Sequence, residues 1–219
     1  MNRSSVNAEP KFRREPPEAR RGELVAAALA CLRKFGHEGV SVRRISVEAG
    51  VSMGLINHHF PGIAGLVAAA YEALASRLLA ASREQALAVE GEPLKRLDAF
   101  FRASFAPDVL DPALFKTWLV FWSLVPHSRE MRIVHDRTYG ETRATLEMLL
   151  GHLKRDPGVP PFRVASAAIG LSALMDGLWV ELSLNAASFE SDEAVVLCND
   201  WVQALSDGAF PALRAARRA

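Results

Sequence analysis

The chain has 219 residues, of which 50% are hydrophobic, so it can bury a substantial core without disulfide or metal support. Its two cysteines, Cys31 and Cys198, exclude the disulfide-dense framework of a small secreted domain and favour a reducing compartment. The formal net charge of +1 is uneven along the chain: residues 1–62 hold 10 basic and 6 acidic side chains, whereas residues 63–219 hold 16 and 19.

The two ends of the chain differ in composition from the rest. Residues 1–17 are polar and carry charges around Pro16 and Pro17, which does not match the apolar core of an export signal. We therefore expect a disordered tail over residues 1–17 and a cytoplasmic protein. Residues 207–219, rich in Arg and Ala, are expected to form a flexible tail.

Between the tails almost every segment has helical periodicity, and no run of alternating β-branched residues indicates a strand. The sequence predicts an all-α protein of about nine helices. The first runs from about Glu18 to Phe35, because Leu24, Ala28 and Cys31 share one face and Gly36 can end the helix.

Two short helices follow. Ser41 is in position to cap the first, which ends at Gly50, and Ser52 is in position to cap the second, from Met53 to Phe60. In each, an apolar residue before the cap can pack against one in the fourth helical position: Val40 with Ile45, and Val51 with Ile56. Two short helices joined at a glycine are typical of a helix-turn-helix, although a corner in a helical bundle has the same pattern.

The remaining helices are longer and more apolar, and Pro and Gly residues separate them. We predict them at about 63–89, 93–105, 112–125, 128–155, 161–185 and 191–206. The apolar window Val164–Val180 approaches the length of a membrane span. It contains Asp176, which would cost about 2–3 kcal/mol inside a bilayer, and its many small residues suit close packing between helices instead.

The second short helix carries side chains that can read DNA. Ser52, Asn57 and His58 offer hydroxyl, amide and imidazole groups to base edges and phosphates. Arg43 opens the first short helix together with Arg44, where a nearby phosphate would offset the unfavourable helix dipole. His58 and the adjacent His59 point about 100° apart, so we expect no metal site and no cofactor there.

The run from Arg20 to Leu66, RRGELVAAALACLRKFGHEGVSVRRISVEAGVSMGLINHHFPGIAGL, resembles the DNA-binding domain of the TetR family of bacterial transcription regulators. The resemblance combines an F-G ending on the first helix, a V-x-x-I-x-x-x-A-G-V-S core and a short helix that closes in an aromatic residue before G-L. It implies a DNA-binding domain over residues 18–64 and a homodimer on a palindromic operator.

The resemblance also implies which side chains contact DNA: Arg43, Ser52, Met53, Gly54, Leu55, Asn57, His58 and His59. Two positions depart from the family pattern. Asn57 stands where many members have an aromatic residue, and no lysine stands near Ile63, where many members bind a phosphate at the start of the fourth helix. Backbone N–H groups at that helix start would then serve alone.

The remaining residues, 65–206, are expected to bind a small molecule and to form the dimer. The segments FKTWLVFW, from Phe115, and GLSALMDGLWVEL, from Gly170, resemble segments of the choline-responsive repressors of glycine betaine synthesis within the same family. The helical spacing of the aromatic residues in these two segments, together with their single aspartate, agrees with such a ligand. Aromatic faces and one carboxylate are what a quaternary ammonium ion needs. The predicted ligand-binding residues are Phe115, Trp118, Trp122, Met175, Asp176 and Trp179.

Other interpretations of these residues stay open at this point. The tryptophans could be ordinary core, with Asp176 in an ion pair with Arg132 or Arg143. The effector could be a different, hydrophobic or aromatic compound. A helical small-molecule-binding protein without DNA binding is a further alternative, whereas the sequence contains no familiar enzyme motif.

For a regulator, we expect a dimer formed by the eighth and ninth helices. Effector binding between the sixth and eighth helices would then displace the fourth helix.

Overall fold

The structure, a computed structural model, describes residues 16–185, 187–210 and 213. The predicted N-terminal tail therefore lies outside the described residues as far as residue 15. The same holds for residues 211, 212 and 214–219 of the predicted C-terminal tail.

The described residues form nine α-helices, which confirms the all-α prediction. A short 3₁₀ turn over Gly36–Gly39 follows the first of them and was not predicted. The helices are α1 Pro17–Phe35, α2 Val42–Glu48, α3 Met53–His59, α4 Gly62–Ala88, α5 Pro93–Ser104, α6 Pro112–Leu124, α7 Arg129–Leu153, α8 Val164–Leu184 and α9 Ser191–Ser206.

Glycines and buried apolar pairs set the ends of the first three helices. Gly36 ends α1 at φ 57°, with its N–H donated to the carbonyl of Leu32. Ser41 and Ser52 occupy the predicted cap positions, but neither side chain makes a capping hydrogen bond. Ile45 and Ile56 are fully buried, as the pattern of apolar pairs predicts, so packing and not hydroxyl capping supports the starts of α2 and α3.

The buried side chains form two hydrophobic clusters. The first cluster joins α1–α4 to α6 and the beginning of α7, and it includes Leu24, Ile56, Tyr71 and Phe121. The second cluster joins α5, α8 and α9 to the ends of α4 and α7. The long helices α4 and α7 therefore run through both clusters, whereas α6 packs mainly on α1 and on the 3₁₀ turn that follows it.

A polar contact reinforces the packing of α6 on α1. Asp111 caps α6 by accepting a hydrogen bond from the N–H of Ala113 at 2.9 Å. The other carboxylate oxygen of Asp111 forms an ion pair with Arg33 in the last turn of α1. The beginning of α6 is thus tied to the helix that precedes the short helix pair.

Helix α8 differs most from its predicted boundaries. Helix α8 begins at Val164 and not at 161, because the N–H of Arg163 is donated to the carbonyl of Leu213 at 2.7 Å and the segment before it is extended. Phe210 stacks on Trp201 with ring centroids 5.2 Å apart. Phe210 and Leu213 therefore pack on the second cluster, within the segment predicted as a flexible tail.

Two helices, α4 and α8, are long and apolar enough to cross a membrane by length and composition. In this fold α4 packs against α1, α5, α6 and α7, and α8 packs against α7 and α9. Apolar side chains nevertheless remain exposed on α8 and α9, among them Ile169, Leu184, Val196 and Leu197.

Candidate DNA interface and effector cavity

The second short helix, α3, turns a polar face outward. Its one fully buried side chain, Ile56, fixes the helix on the first cluster. The opposite side is exposed, and it carries most of the residues predicted to contact DNA. Ser52, Met53, Gly54, Asn57 and His58 are exposed, as is Arg43 on α2, whereas Leu55 and His59 are half-buried.

The arginines around α3 differ in the contacts that they make within the protein. Arg21 of α1 stacks over the ring of Phe60 at 4.2 Å and donates a hydrogen bond to the carbonyl of His59, which holds the end of α3. Arg44 stacks over Phe35 and pairs with Glu38 at 3.6 Å. Arg43 makes no ion pair with a described residue, so its charge is available to a phosphate.

The turn between α3 and α4 is closely packed. A Cβ atom added to Gly65 would lie 2.7 Å from Cδ and Cγ of Pro61, so only glycine fits there without displacing the proline ring. Ile63 is half-buried against the first cluster and gives this helix start no positive charge. The beginning of α4 can offer backbone N–H groups to a phosphate, as predicted for this departure from the family pattern.

A cavity of about 150 Å³ lies between the two clusters. In another protein an engineered cavity of about this size binds benzene, so the space is enough for a small ligand. Its walls come from α4, α5, the segment after α5, α6, α7 and α8. The lining residues are Ala75, Leu78, Leu79, Ser82, Phe100, Ser104, Phe105, Val109, Trp118, Thr138, Tyr139, Thr142, Ser172, Met175, Asp176 and Trp179.

Four of the six residues predicted to bind a ligand line this cavity: Trp118, Met175, Asp176 and Trp179. The rings of Trp118 and Trp179 lie 6.0 Å apart at 69°. The other two predicted residues lie behind these rings. Phe115 packs on Trp179 at 5.1 Å, and Trp122 contacts both tryptophans at 6.3 and 6.4 Å.

The carboxylate of Asp176 is the charged group of the cavity. The hydroxyl of Tyr139 donates a hydrogen bond to its Oδ2 atom at 3.1 Å. Burial raises the pKa of Asp176 to about 6, although the Tyr139 hydrogen bond and the charge of Arg143 act in the opposite direction. Within the described part of the chain Asp176 forms no ion pair, and Arg132 donates instead to the carbonyl of Pro126.

Tyr71 connects α4 to the aromatic wall of the cavity. It is fully buried, stacks on Phe121 at 4.9 Å and meets the edge of Trp118 at 5.4 Å. Its hydroxyl lies 2.8 Å from Nδ1 of His135 on α7. Because burial lowers the pKa of His135 and raises that of Tyr71 to about 12, the neutral imidazole accepts the hydrogen bond and the phenol donates it.

Several residues of the site escaped the sequence analysis, because they come from α4, α5 and α7 and carry no motif. Tyr71, Tyr139, Ser82 and Ser104 are among them. The two tyrosines did offer a signal, since they are the only two in the chain and both lie at this site. Nε1 of Trp122, close behind the cavity wall, is buried and has no hydrogen-bond partner in the described part of the chain.

Comparisons with known families agree with the fold. The sequence matches the family of bacterial regulatory proteins named tetR over residues 24–70, and the BetI-type transcriptional repressor C-terminal family over residues 93–207. The chain therefore belongs to the TetR family of transcriptional regulators, as the sequence resemblance predicted. It is a BetI-like repressor by homology and not an enzyme.

Curated relatives support this membership over most of the chain. The transcriptional regulator BetI of Burkholderia thailandensis is 31% identical over 188 residues, which cover 86% of this chain and 94% of that protein. BetI of Pectobacterium carotovorum is 32% identical over 198 residues, which cover 89% and 96%.

Solved structures have the same architecture. A transcriptional regulator from Pseudomonas aeruginosa PAO1 is 45% identical, with a TM-score of 0.85 over 95% of this chain and 100% of that one. A regulator from Saccharomonospora viridis, solved in complex with choline, is 20% identical with a TM-score of 0.73, and the match covers 86% and 97%. At that identity the second likeness extends to the fold alone.

Proposed function

We propose that this repressor binds a palindromic operator as a homodimer and is released from it by choline or a related quaternary amine, in BetI-like control of glycine betaine synthesis. The observation that carries the proposal is the carboxylate of Asp176, which lines the same cavity as Trp118 and Trp179 and forms no ion pair with a described residue. As a regulator of operator DNA the protein would act in the cytoplasm.

For the DNA-binding role we assign residues 18–64, with α3 as the recognition helix. An exposed helix face of this size can enter the major groove, where Asn57 is able to pair with an adenine edge and Ser52 with a phosphate. Arg43, which makes no ion pair with a described residue, supplies positive charge beside it. Arg21 keeps the end of α3 in place through Phe60 and His59.

For dimerisation and ligand binding we assign residues 65–206, with the exposed apolar side chains of α8 and α9 as the interface. Ile169 and Val196 are 55% and 52% exposed, and covering such side chains favours association by about 25 cal/mol per Å². Gly170 lies close to Trp201 and lets α8 and α9 approach each other. A two-fold dimer would set two copies of α3 about one DNA turn apart.

For the effector we favour a quaternary ammonium ion because of the charge and the shape of the cavity. Such an ion cannot donate an N–H hydrogen bond, so it is held by aromatic faces and by Coulomb attraction. Trp118, Trp179 and Tyr139 each can contribute about 1 kcal/mol, and more where water is excluded. The BetI names of the curated relatives and the choline complex of the regulator from Saccharomonospora viridis support the same ligand class.

The packing offers a route from the cavity to the DNA-binding helices. Trp118 lines the cavity and contacts Tyr71, which is buried in the cluster that also holds Ile45 and Ile56. A ligand that displaces Trp118 would therefore shift α4 and α6 against α1–α3 and change the separation of the two recognition helices. Ligand and DNA would oppose each other's binding by the same coupling free energy.

The test has two measurements. Choline is titrated into the purified protein while tryptophan fluorescence is followed, and a gel-shift assay with DNA from the promoter of its own gene is run with and without choline. We expect saturable quenching and release of the DNA, and salt-sensitive DNA binding without choline. An unchanged signal and unchanged DNA affinity at millimolar choline would refute the proposed effector.

An Asp176→Asn variant separates this proposal from an uncharged effector. The substitution keeps the shape of the side chain but removes the charge, so it should weaken choline binding at least tenfold while leaving the ligand-free protein on DNA. Glu181→Gln on the same helix, outside the cavity lining, is the matched control. Equal choline affinity in Asp176→Asn and the wild type would show that the carboxylate is structural and does not recognise the ammonium charge.

A further inference from the structure

The cavity is elongated along α4. Ala75, Leu78, Leu79 and Ser82 all line it, and a rise of about 1.5 Å per residue separates the first and last of them by about 10 Å. On α8 the lining residues Ser172 and Trp179 are the same number of residues apart. A compact cation at one end would therefore leave the other end of the cavity to a further group.

The acidic end of the cavity lies at the Ala75 end of α4. Tyr139, which donates to Asp176, has its ring 4.3 Å from His135. His135 in turn is hydrogen-bonded to Tyr71, one turn before Ala75. The far end of the cavity, at Ser82, lies about 10 Å further along α4 than Ala75.

The far end presents two serine hydroxyls that are already committed as donors. Oγ of Ser82 donates to the carbonyl of Leu78 at 3.2 Å, and Oγ of Ser104 donates to the carbonyl of Phe100 at 2.8 Å or to Ser82 at 3.1 Å. Each hydroxyl has one proton, so the oxygens have only acceptor capacity left. A ligand group at this end must therefore donate a hydrogen bond.

The charges around the cavity also restrict whether that ligand group can itself be charged. No Lys, Arg or His is among the described residues that line the cavity, so a ligand carboxylate would be buried without a partner. A second ammonium group at the serine end would lack a counter-ion in the same way. A neutral donor such as a hydroxyl fits both restrictions.

We infer that the cavity recognises both ends of its effector, with Asp176 and the tryptophans at an ammonium head and the Ser82–Ser104 pair at a hydroxyl on an extended arm. The inference rests on the proposed function for the ammonium end. It names the ligand class as a hydroxyalkyl ammonium ion longer than choline and without a carboxylate. Choline itself is too short to reach both ends.

The experiment measures affinity by tryptophan fluorescence for a series of trimethylammonium compounds on the full chain. The probes are tetramethylammonium, choline, hydroxybutyl- and hydroxyhexyl-trimethylammonium, with hexyl- and carboxypentyl-trimethylammonium as matched compounds without the hydroxyl. The variants are Ser104→Ala and Ser82→Ala. Ser76→Ala, on the same helix but exposed and outside the cavity, is the control.

We expect the hydroxyhexyl compound to bind more tightly than choline and more tightly than its hexyl and carboxypentyl counterparts. Ser104→Ala should weaken its binding roughly five- to tenfold, the value of one hydrogen bond, and should leave the hexyl compound within twofold. Ser76→Ala should change neither affinity.

Two results would overturn the inference, and they differ in what they say about the proposed function. If the short ammonium compounds bind but lengthening the arm and removing the serine hydroxyls change nothing, the two-ended recognition is wrong and the choline-like effector stands. If no ammonium compound quenches the fluorescence, both fail together.

Discussion

The exposed face of α3 and the cavity between the clusters are built in opposite ways. The proposed DNA-binding residues lie on the surface, rest on a single buried side chain, Ile56, and make few contacts of their own. The cavity residues are packed ring against ring. Ionisable groups in and behind the cavity wall have shifted pKa values: about 6 for Asp176, which lines the cavity, and about 12 for Tyr71, which packs behind Trp118.

Because of this difference, substitutions in the two regions should affect different properties of the protein. Exposed side chains contribute little to the free energy of unfolding, so changes on α3 should affect DNA affinity alone. Buried aromatic and charged side chains contribute to stability and to ligand binding together. The following experiments test whether the two regions can be separated in this way.

The largest expected effect comes from Tyr71→Ala. The side chain is fully buried in the first cluster, and its removal opens a cavity beside Phe121 and leaves His135 without its donor. We expect the free energy of unfolding to fall by about 3–5 kcal/mol, measured by urea denaturation. Tyr71→Phe is the control that keeps the ring, and it should cost about 1 kcal/mol. A loss equal to that of the Phe variant would contradict a core role.

Asn57→Ala should act on DNA binding only. Asn57 is exposed on α3, and the loss of a paired hydrogen bond to a base costs about 1–3 kcal/mol, or roughly five- to 150-fold in affinity. The free energy of unfolding should stay within about 0.5 kcal/mol of the wild type. Gel-shift titration and urea denaturation on the same preparation measure both. Full operator affinity in the variant would remove Asn57 from the interface.

Asp176→Asn tests the pH dependence of stability. The pKa of Asp176 rises from an ordinary 3.8 to about 6 on folding, so the folded protein holds the proton more tightly than the unfolded chain. Burial of the carboxylate therefore costs nothing below about pH 4, and its cost grows as the pH rises to about 6. Above pH 6 the variant should be more stable than the wild type by about 3 kcal/mol at most.

The measurement is urea denaturation of both proteins between pH 4 and pH 8. The difference between them should close as the pH falls. A difference that is constant with pH would mean that Asp176 does not change its protonation in this range. In the wild type, choline binding should also weaken below pH 6, because the cation needs the ionised carboxylate.

The smallest expected changes in stability come from Ser→Ala substitutions at the helix starts. Ser41 and Ser52 make no side-chain capping hydrogen bond, whereas Oγ of Ser128 accepts one from the N–H of Met131 at 3.3 Å. Ser128→Ala should cost about 1 kcal/mol, and Ser41→Ala only a few tenths. Thermal denaturation of the two variants compares them. Equal losses would show that the hydroxyl of Ser41 does cap α2.

The sequence predicted helix positions well, because prolines, glycines and apolar spacing act locally. Pro93 and Pro112 begin α5 and α6 as predicted, since proline fits the first turn of a helix. Locally coded signals also placed the exposed face of α3. The start of α8 was harder to predict from the sequence, because it depends on a hydrogen bond to Leu213, fifty residues away in sequence.

The cavity could be predicted only in part for a related reason. Periodicity showed that Trp118 and Trp179 each lie on one face of a helix, but not which helices face each other. Tyr139 meets Asp176 because α7 and α8 pack together, and the Ser82–Ser104 pair forms because α4 and α5 do. Such contacts depend on three-dimensional packing, which a single sequence does not encode as a motif.

The extent of the first cluster has a consequence for protein engineering. A regulator with separate DNA-binding and ligand-binding regions can be used to design chimeras, in which the DNA-binding helices of one protein are joined to the ligand-binding helices of another. Here a splice after α3 would cut through a shared core, since Leu114 and Phe121 of α6 belong to the same buried cluster as Leu24 and Ile56. A working biosensor built from this chain would have to carry α6, with Asp111 and its partner Arg33, along with the helices that read DNA.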